Sequence, residues 1–130
     1  MKFDDFDKKM RRFELSLDER VPTGSFTLLR LDGRGFTRMT KETLDFERPF
    51  DARFHSAMVA TCEHLMAVGV EIELCYTQSD EISLLLRRGD PPFSGKTRKL
   101  NSVFAGEASA RFSIAVDHVA SFDCRVIPLV

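Results

Sequence analysis

The order of hydrophobic patterns along this 130-residue chain predicts an α+β fold of the ferredoxin-like type, a split β-α-β arrangement. After an N-terminal helical segment, strand-like and helix-like patterns follow one another as β-α-β-β-α-β. The second and third strands are separated by a short turn, so these two strands should form a hairpin. Right-handed crossovers would place both later helices on one face of an antiparallel sheet. The other face of that sheet should therefore stay open.

The first half of the chain is predicted to form two helices and one strand. Residues 3–17 carry apolar side chains at spacings of three and four, namely Phe3, Phe6, Met10, Phe13 and Leu17. We interpret this stripe as core or subunit packing. The turn at 21–24 ends the helix, and a mostly apolar strand from Ser25 to Leu31 follows. The second helix runs from Asp51 to Val68, where Gly69 ends it.

The hairpin begins with the clearest strand in the chain, residues 70–76. Its alternation puts one set of side chains on one face and another set on the opposite face: Val70, Ile72, Leu74 and Tyr76 against Glu71, Glu73 and Cys75. The turn at Ser79-Asp80 leads into a strand over 82–86. In that strand we expect Ile82, Leu84 and Leu86 to pack against the helices, with Glu81, Ser83 and Arg87 facing away.

The last two elements complete a single domain. A helix from about Thr97 to Phe112 buries Leu100, Val103, Phe104, Ala108 and Phe112, and a strand covers about Phe122 to Leu129. We therefore divide the chain into an N-terminal amphipathic helix, residues 1–20, and a domain over residues 21–130.

Composition excludes some classes of protein. With 19 basic and 20 acidic residues the formal charge is −1, so the body is not of the strongly basic kind that coats nucleic acids. Cys62, Cys75 and Cys124 are widely spaced, which favours buried, reduced thiols. No apolar run is long enough to cross a bilayer, and the first residues do not form a signal peptide. We expect a cytoplasmic protein that does not associate with membranes.

Two carboxylates stand where a predicted strand gives way to a turn. Asp32 follows the first strand, and Asp80 lies in the hairpin turn. The first and third strands are adjacent in this topology, so the two carboxylates can meet and bind hard divalent cations. Gly33 and Gly35 beside Asp32 would let backbone N–H groups approach a phosphate. This combination predicts phosphoryl or nucleotidyl transfer. The competing interpretation is that both aspartates merely cap turns.

Four segments carry a family resemblance: Leu31-Asp32-Gly33-Arg34-Gly35-Phe36, then residues 46–51 (Phe-Glu-Arg-Pro-Phe-Asp), then Gln78-Ser79-Asp80-Glu81, then Phe122-Asp123-Cys124-Arg125. In order and spacing the chain resembles the tRNA-His guanylyltransferase family, and more closely its bacterial and archaeal Thg1-like proteins. The resemblance implies a polymerase-type palm that adds nucleotides to the 5′ end of tRNA in the 3′–5′ direction. It also implies GTP or another nucleoside triphosphate as substrate, and a homo-oligomer (dimer or tetramer).

Site residues follow from the same resemblance, position by position. Asp32, the Gly33 carbonyl and Asp80 would be the ligands of two Mg²⁺ ions, with Asp32 and Asp80 the catalytic carboxylates. Triphosphate would be held by the turn from Gly33 to Thr37 and by Ser79; the turn comprises Gly33, Arg34, Gly35, Phe36 and Thr37. Three residues match a nucleotide-holding segment, Phe46, Arg48 and Asp51. Lys99 matches a basic position on the second palm helix.

The chain departs from the eukaryotic pattern at Thr37, where that pattern has histidine, and at Phe50, where it has asparagine. Both departures favour a repair-type enzyme that restores truncated tRNA 5′ ends. Family members also continue past the position of the last residue here with a basic, asparagine-containing motif that engages the RNA. We therefore expect a palm portion that lacks part of the RNA-binding surface.

Several functions and residues remain open at the level of sequence. A nucleotide cyclase would use the same metal pair on a similar palm, and a non-catalytic palm would only bind nucleotide or join an oligomer. Glu81 is either an outer-sphere metal contact or a solvated carboxylate. The basic side chains either contact phosphate or are solvated: Arg34, Arg38, Lys41, Lys96, Arg98 and Lys99. His55, His64 and His118 have no catalytic or metal-binding spacing, so we interpret them as core or surface residues.

Overall fold

The computed structural model describes residues 2–47 and 51–129, so the predicted nucleotide contact at Arg48 and the departure at Phe50 lie outside the described residues. Within these ranges, four α-helices and four strands follow in the order α1 Phe3–Glu14, β1 Phe26–Gly33, α2 Phe36–Arg38, α3 Ala52–Met66, β2 Ile72–Gln78, β3 Glu81–Leu86, α4 Thr97–Val116 and β4 Phe122–Leu129. The strands form one antiparallel sheet in the order β2-β3-β1-β4. The predicted ferredoxin-like topology, with its N-terminal helix, is confirmed.

The hydrophobic core lies between one face of the sheet and helices α3 and α4. Alternate residues of the two central strands are buried there, Leu29, Leu31, Ile82, Leu84 and Leu86. Each faces the helices because side chains alternate across a strand. The helices contribute fully buried residues of their own, including Leu65, Leu100, Phe104 and Phe112. None of the described helices packs on the other face of the sheet, as the sequence predicts.

Strand β2 contains an irregularity that reverses part of the predicted alternation. The pairing of β2 with β3 shifts between Ile72 and Leu74, which is the signature of a β-bulge. One extra residue turns every later side chain to the opposite face of the sheet. Leu74 and Tyr76 are each 58% exposed, and Cys75 packs against the core instead. The expectation that Leu74 and Tyr76 share a face with Ile72 is therefore wrong.

Helix α1 forms as its periodicity predicts, and a 3-10 turn over Leu15–Leu17 extends it. Acidic residues occupy its first turn and basic residues its last, which suits the helix dipole. Its apolar stripe is nevertheless exposed: Phe3 is 80% exposed and Leu17 is 88% exposed. The stripe does not belong to the core of this chain, so the core interpretation is wrong, and subunit packing stays a prediction.

No helix among the described residues combines the length and apolar character that a membrane span requires.

Candidate nucleotide and metal site

Asp32 and Asp80 lie at the same end of the sheet. Asp32 belongs to β1, and Asp80 lies in the turn directly before β3. Asp32 faces Glu81 in the β1–β3 register, and the Gly33 N–H donates to the Asp80 carbonyl oxygen at 3.0 Å. Strand β4 adds Asp123, which is paired with Asp32 on the other side. Four carboxylates are thus gathered at one end of the sheet, because adjacent antiparallel strands bring the end of β1, the start of β3 and the start of β4 together.

The electrostatics of this acidic end suit a cation. Partial burial raises the pKa of Asp80, and the charges of Asp32 and Glu81 raise it further. Within the described residues, no Lys, Arg or His lies at ion-pair distance from Asp32 or Asp80. Carboxylate and carbonyl oxygens are the ligands that Mg²⁺ prefers. Asp32, Gly33 and Asp80 thus offer oxygen donors of this chemical type, whereas no group of three or more Asp, Glu, His or Cys side chains among the described residues is arranged to hold a metal ion.

The turn after β1 requires glycine at two positions for different reasons. A Cβ atom on Gly33 would lie 2.6 Å from the ring of Phe36, far closer than real contacts allow. Gly35 has φ 66° and ψ 23°, a left-handed conformation that side chains disfavour. The Arg34 N–H donates to the Ser121 carbonyl at 2.9 Å, which ties the turn to the segment before β4.

Phe36 anchors this turn in the core. Its ring is 3% exposed and lies 4.9 Å from the ring of Phe112 and 5.0 Å from that of Phe122. The Phe122 ring meets Phe36 edge-on, at an interplanar angle of 66°, and the Phe112 ring is tilted by 33°; offset and edge-on arrangements at these distances are favourable for aromatic pairs. The buried ring therefore holds the backbone of the turn in place beside the carboxylates.

A wide helical turn follows and shapes one wall of a groove. The Leu44 N–H donates to the Met39 carbonyl at 2.8 Å, a spacing of five residues that defines a π-helical turn over Met39–Thr43. The Phe46 N–H then donates to the Thr40 carbonyl at 2.7 Å. Such turns are concentrated at functional sites. Nothing in the sequence pattern predicted this one.

Asp51 supports the opposite wall of the groove. Its carboxylate is the N-cap of α3, accepting from the N–H groups of Arg53 at 2.8 Å and Phe54 at 3.4 Å. It also accepts from the Glu47 N–H at 2.7 Å and from the Arg53 guanidinium. These bonds, chiefly the one from Arg53, hold the pKa of Asp51 well below its usual value. With its oxygens engaged in this way, Asp51 acts by positioning residues 45–47 against α3.

Between these walls lies a groove with a volume of about 210 Å³, which opens beside Asp80. Six predicted site residues line it, Phe36, Thr37, Phe46, Asp51, Ser79 and Asp80. Four further residues line it as well, Thr40, Lys41, Glu47 and Phe54. Of these four, only Lys41 was considered for phosphate contact from the sequence. Thr40, Glu47 and Phe54 were missed because no residue type or spacing distinguishes them.

Two predicted residues of the turn lie on its far side. Arg34 and Gly35 line a separate groove of about 220 Å³ together with Arg38, His118 and Ser121. Their backbone belongs to the turn beside Asp32, but the Arg34 side chain is not among the residues that line the first groove.

Lys99 is not brought to the acidic end. It lies in the first turn of α4, which follows the C-terminal end of β3, and Thr97 two residues earlier bonds to Glu19. Because β3 runs away from Asp80, this helix begins at the opposite end of the sheet from the carboxylates. Within this chain, Lys99 does not share a site with the groove.

Comparisons with known proteins agree on one family. The family model for tRNAHis guanylyltransferase matches residues 7–130. Protein R259 of Acanthamoeba polyphaga mimivirus is 34% identical over 113 residues, a stretch that covers 86% of this chain and 37% of that protein. The tRNA(His) guanylyltransferase of Debaryomyces hansenii is 31% identical over 114 residues, covering 79% of this chain and 43% of the enzyme.

Solved structures agree with the sequence matches. A bacterial tRNA(His) guanylyltransferase (Thg1)-like protein in complex with GTP superimposes with a TM-score of 0.90 at 28% identity, covering 97% of this chain and 64% of that one. The chain spans less than half the length of the mimivirus and Debaryomyces hansenii relatives, 37% and 43% respectively. The resemblance inferred from the sequence is confirmed: the chain belongs to the tRNAHis guanylyltransferase family.

Proposed function

We propose that this chain is the palm portion of a magnesium-dependent nucleotidyltransferase that adds nucleotides to the 5′ end of tRNA in the 3′–5′ direction. One observation carries the proposal. Asp80 lines a groove whose other lining residues come largely from the predicted nucleotide-holding segments, and Asp32, which is not itself in the lining, is held next to the Asp80 turn by strand pairing and the Gly33–Asp80 backbone bond. A triphosphate in this groove would place its phosphates next to the carboxylates.

The groove has the mixed lining that a nucleotide needs. Phe46 supplies an aromatic ring. The Arg53 guanidinium lies over this ring, 4.5 Å from its centroid, and helps to fix its position. Thr37, Thr40 and Ser79 bring side-chain hydroxyls, and Lys41 brings a positive charge. We assign the base to the end near Phe46 and the phosphates to the end near Asp80.

Two Mg²⁺ ions would be held by Asp32, Asp80 and the Gly33 carbonyl. Bound there, such a pair neutralises charge on the attacking and leaving oxygens of a phosphoryl transfer. The protein's own contribution is to hold the two carboxylates together through the Gly33–Asp80 backbone bond and the buried Phe36 ring. Glu81 and Asp123 flank Asp32 and add negative charge that favours cations.

The open face of the sheet offers a place for the RNA end. One cross-strand row below the carboxylates, Arg30 is paired with Ser83 on one side and Arg125 on the other, and Tyr76 extends the row on β2. Like charges directly opposite each other destabilise a sheet. In addition, the Nε of Arg30 is buried and has no hydrogen-bond partner within the described residues. An anionic ligand between the two guanidinium groups would offset both costs.

We therefore assign the phosphorylated 5′ end of the RNA to Arg30 and Arg125, with a base against Tyr76. Aromatic side chains on open sheets commonly stack nucleic-acid bases. The chain's balanced charge leaves little non-specific affinity for RNA, so a local basic row of this kind has to supply the contact.

The triphosphate site is tested by thermal stability with GTP and magnesium, because a ligand that binds only the folded state raises the melting temperature. Asp32→Ala and Asp80→Ala should each abolish the magnesium-dependent rise, and Asp90→Ala, at the other end of the sheet, is the matched control. A wild-type rise in either of the first two variants would contradict the two-carboxylate site.

The RNA end is tested by fluorescence anisotropy with short RNAs that carry a 5′-triphosphate or a 5′-hydroxyl. Arg30→Met and Arg125→Met should remove the preference for the triphosphorylated RNA, and Arg12→Met in α1 should not. If the assignment is wrong, all three variants keep the same preference. Product analysis with magnesium and GTP separates an RNA polymerising enzyme from a cyclase, since only the latter releases a cyclic nucleotide.

A further inference from the structure

Two serine side chains of α4 bond to the backbone that leads into β4. The Ser113 hydroxyl accepts from the N–H of Ala120 and donates to the C=O of the same residue, both at 2.9 Å. One turn earlier in the helix, the Ser109 hydroxyl accepts from the Phe122 N–H at 2.9 Å and donates to the Ala105 carbonyl of its own helix at 2.6 Å. Helix α4 thus holds the backbone at the start of β4 through two hydroxyl groups.

The same stretch of backbone holds the turn after β1. The Ser121 carbonyl accepts from the Arg34 N–H at 2.9 Å, and Phe122 is paired with Gly33 in the β1–β4 register. The Ser121 carbonyl and the Phe122 N–H belong to one peptide unit, which is planar and rigid. Ser109 therefore bonds to one side of this peptide unit, and the turn bonds to its other side. Hydrogen bonds linked in this way also polarise and strengthen one another.

Electrostatic repulsion at this end of the sheet opposes the same arrangement. Asp32 is paired with Asp123 of β4 on one side and with Glu81 of β3 on the other. Like charges directly opposite each other destabilise a pair of strands. This pairing also lies next to the end of the β1–β4 ladder, and the ends of elements open most easily. The two hydroxyl bonds from α4 therefore resist a separation of β4 from β1 that the carboxylates favour.

We propose that Ser109 and Ser113 are positioning residues of the metal and triphosphate site. They hold the start of β4 and, through it, the turn over residues 33–36 and the Asp32 carboxylate. Neither serine is among the residues that line the two grooves on either side of this turn. Their effect on a ligand is therefore transmitted by the backbone and not by contact. This effect, unlike the bonds themselves, rests on the proposed function.

The first experiment measures the affinity for GTP with magnesium by isothermal titration, at a temperature at which each variant is folded. Ser109→Ala should weaken the affinity at least about tenfold, because the Phe122 N–H loses its acceptor. Ser113→Ala removes the other bond and should act in the same direction, so it provides the same test if Ser109→Ala does not fold. The matched control is Ser102→Ala in the same helix, whose exposed hydroxyl bonds to the Lys99 carbonyl at 3.5 Å. Wild-type affinity in the Ser109 and Ser113 variants would overturn the proposal.

Two further variants separate positioning from a general loss of stability. Thr61→Val removes a fully buried hydroxyl of α3 that bonds within its own helix, to the Ala57 carbonyl at 2.8 Å. This variant should lower the melting temperature and leave the affinity for GTP unchanged. Ser109→Thr keeps a hydroxyl that can bond to the carbonyl four residues earlier, as Thr61 does, and should restore the affinity. Equal losses of affinity in Thr61→Val and Ser109→Ala would mean that the serine acts on stability alone, which would overturn the proposal.

Amide hydrogen exchange tests the backbone link without any ligand. In Ser109→Ala, the ratio of the exchange rate of the Arg34 amide to that of the Leu84 amide in β3 should rise at least about tenfold over wild type. An unchanged ratio would overturn the link between the serine and the turn. If wild type itself does not bind GTP, the proposed function fails instead, and the exchange ratio alone decides whether the serine holds the turn.

Discussion

Asp80 shows at the scale of one residue how a site can oppose stability. Its carboxylate is partly buried and faces the charges of Asp32 and Glu81, so the folded state disfavours its ionised form. An aspartate that only stabilised the turn would gain nothing from this repulsion. A bound cation would offset the repulsion, which is why we interpret Asp80 as a cation ligand.

Replacing Asp80 with asparagine should therefore stabilise the metal-free protein at pH 7. The raised pKa of Asp80 means that its contribution to stability is fully present below the usual value of 3.8 and is lost as the pH rises through the raised value. The variant escapes that loss, so its melting temperature should exceed that of wild type at pH 7 and match it near pH 3. Scanning calorimetry without magnesium tests this. A variant that is less stable than wild type at pH 7 would contradict the repulsion.

Gly35 is the second residue with a specific requirement. Its left-handed backbone would cost a β-branched side chain about 1–2 kcal/mol, although no heavy atom lies within 4 Å of a built Cβ. Gly35→Val should lower the melting temperature and weaken triphosphate binding far more than Thr37→Ser does. Isothermal titration with GTP and magnesium gives the affinities. Equal affinities would show that this turn does not hold the phosphates.

At the scale of elements, the bulge in β2 and the exposed helix α1 both depart from regular patterns. Because of the bulge, Cys75 faces the helices and Tyr76 faces the open side of the sheet. Helix α1 has a well-formed apolar stripe that the described chain leaves in solvent. Because this stripe is not buried in the core, α1 lacks the packing of an apolar face that supplies most of the stability of helices in proteins.

Substitutions on the α1 stripe should consequently have little effect on folding. Phe6→Ser and Phe13→Ser together should change the free energy of unfolding by less than about 0.5 kcal/mol, whereas Leu65→Ala in the core should cost about 2–5 kcal/mol. Denaturant titration of dilute protein measures both. A large loss from the α1 pair would mean that the stripe is buried in solution, and sedimentation of that variant would then test the predicted homo-oligomer.

At the scale of the whole described chain, the ferredoxin-like sheet has two ends and two faces that differ. One end gathers carboxylates beside the groove of about 210 Å³. The open face continues from them through an arginine row to an apolar row of Leu28, Leu74, Leu85 and Ile127. The helix-covered face is the core. Substrates can therefore approach the carboxylates from two directions, the groove and the open face.

The 130-residue chain should bind GTP with magnesium but extend RNA slowly by itself. It spans 37% of the mimivirus relative and 43% of the Debaryomyces hansenii enzyme, so most of those proteins' RNA contacts can lie elsewhere. Poor orientation of the RNA end should lower the rate by at least about a hundredfold relative to a full-length family member. Labelled GTP and a tRNA lacking its first nucleotide measure the rate. Equal rates would show that the palm alone positions the RNA.

The sequence by itself determined the order of elements, the hairpin and the placement of Asp32 and Asp80 at strand ends, because hydrophobic periodicity and turn residues act locally. It also determined the family, through four motifs in a fixed order. Tertiary structure decided the rest. A bulge adds one residue without changing composition, so the faces of Leu74, Cys75 and Tyr76 were not predictable.

The remaining differences have the same physical origin. Lys99 is remote from the carboxylates because the direction of β3 sends α4 to the far end of the sheet, and the stripe of α1 is exposed although its periodicity equals that of a buried helix. Thr40, Glu47 and Phe54 enter the groove only because a π-helical turn and the Asp51 cap bring their backbone there. Periodicity indicates which residues can share a face of a helix or strand. Whether that face contacts the core, a groove or solvent is decided by tertiary packing.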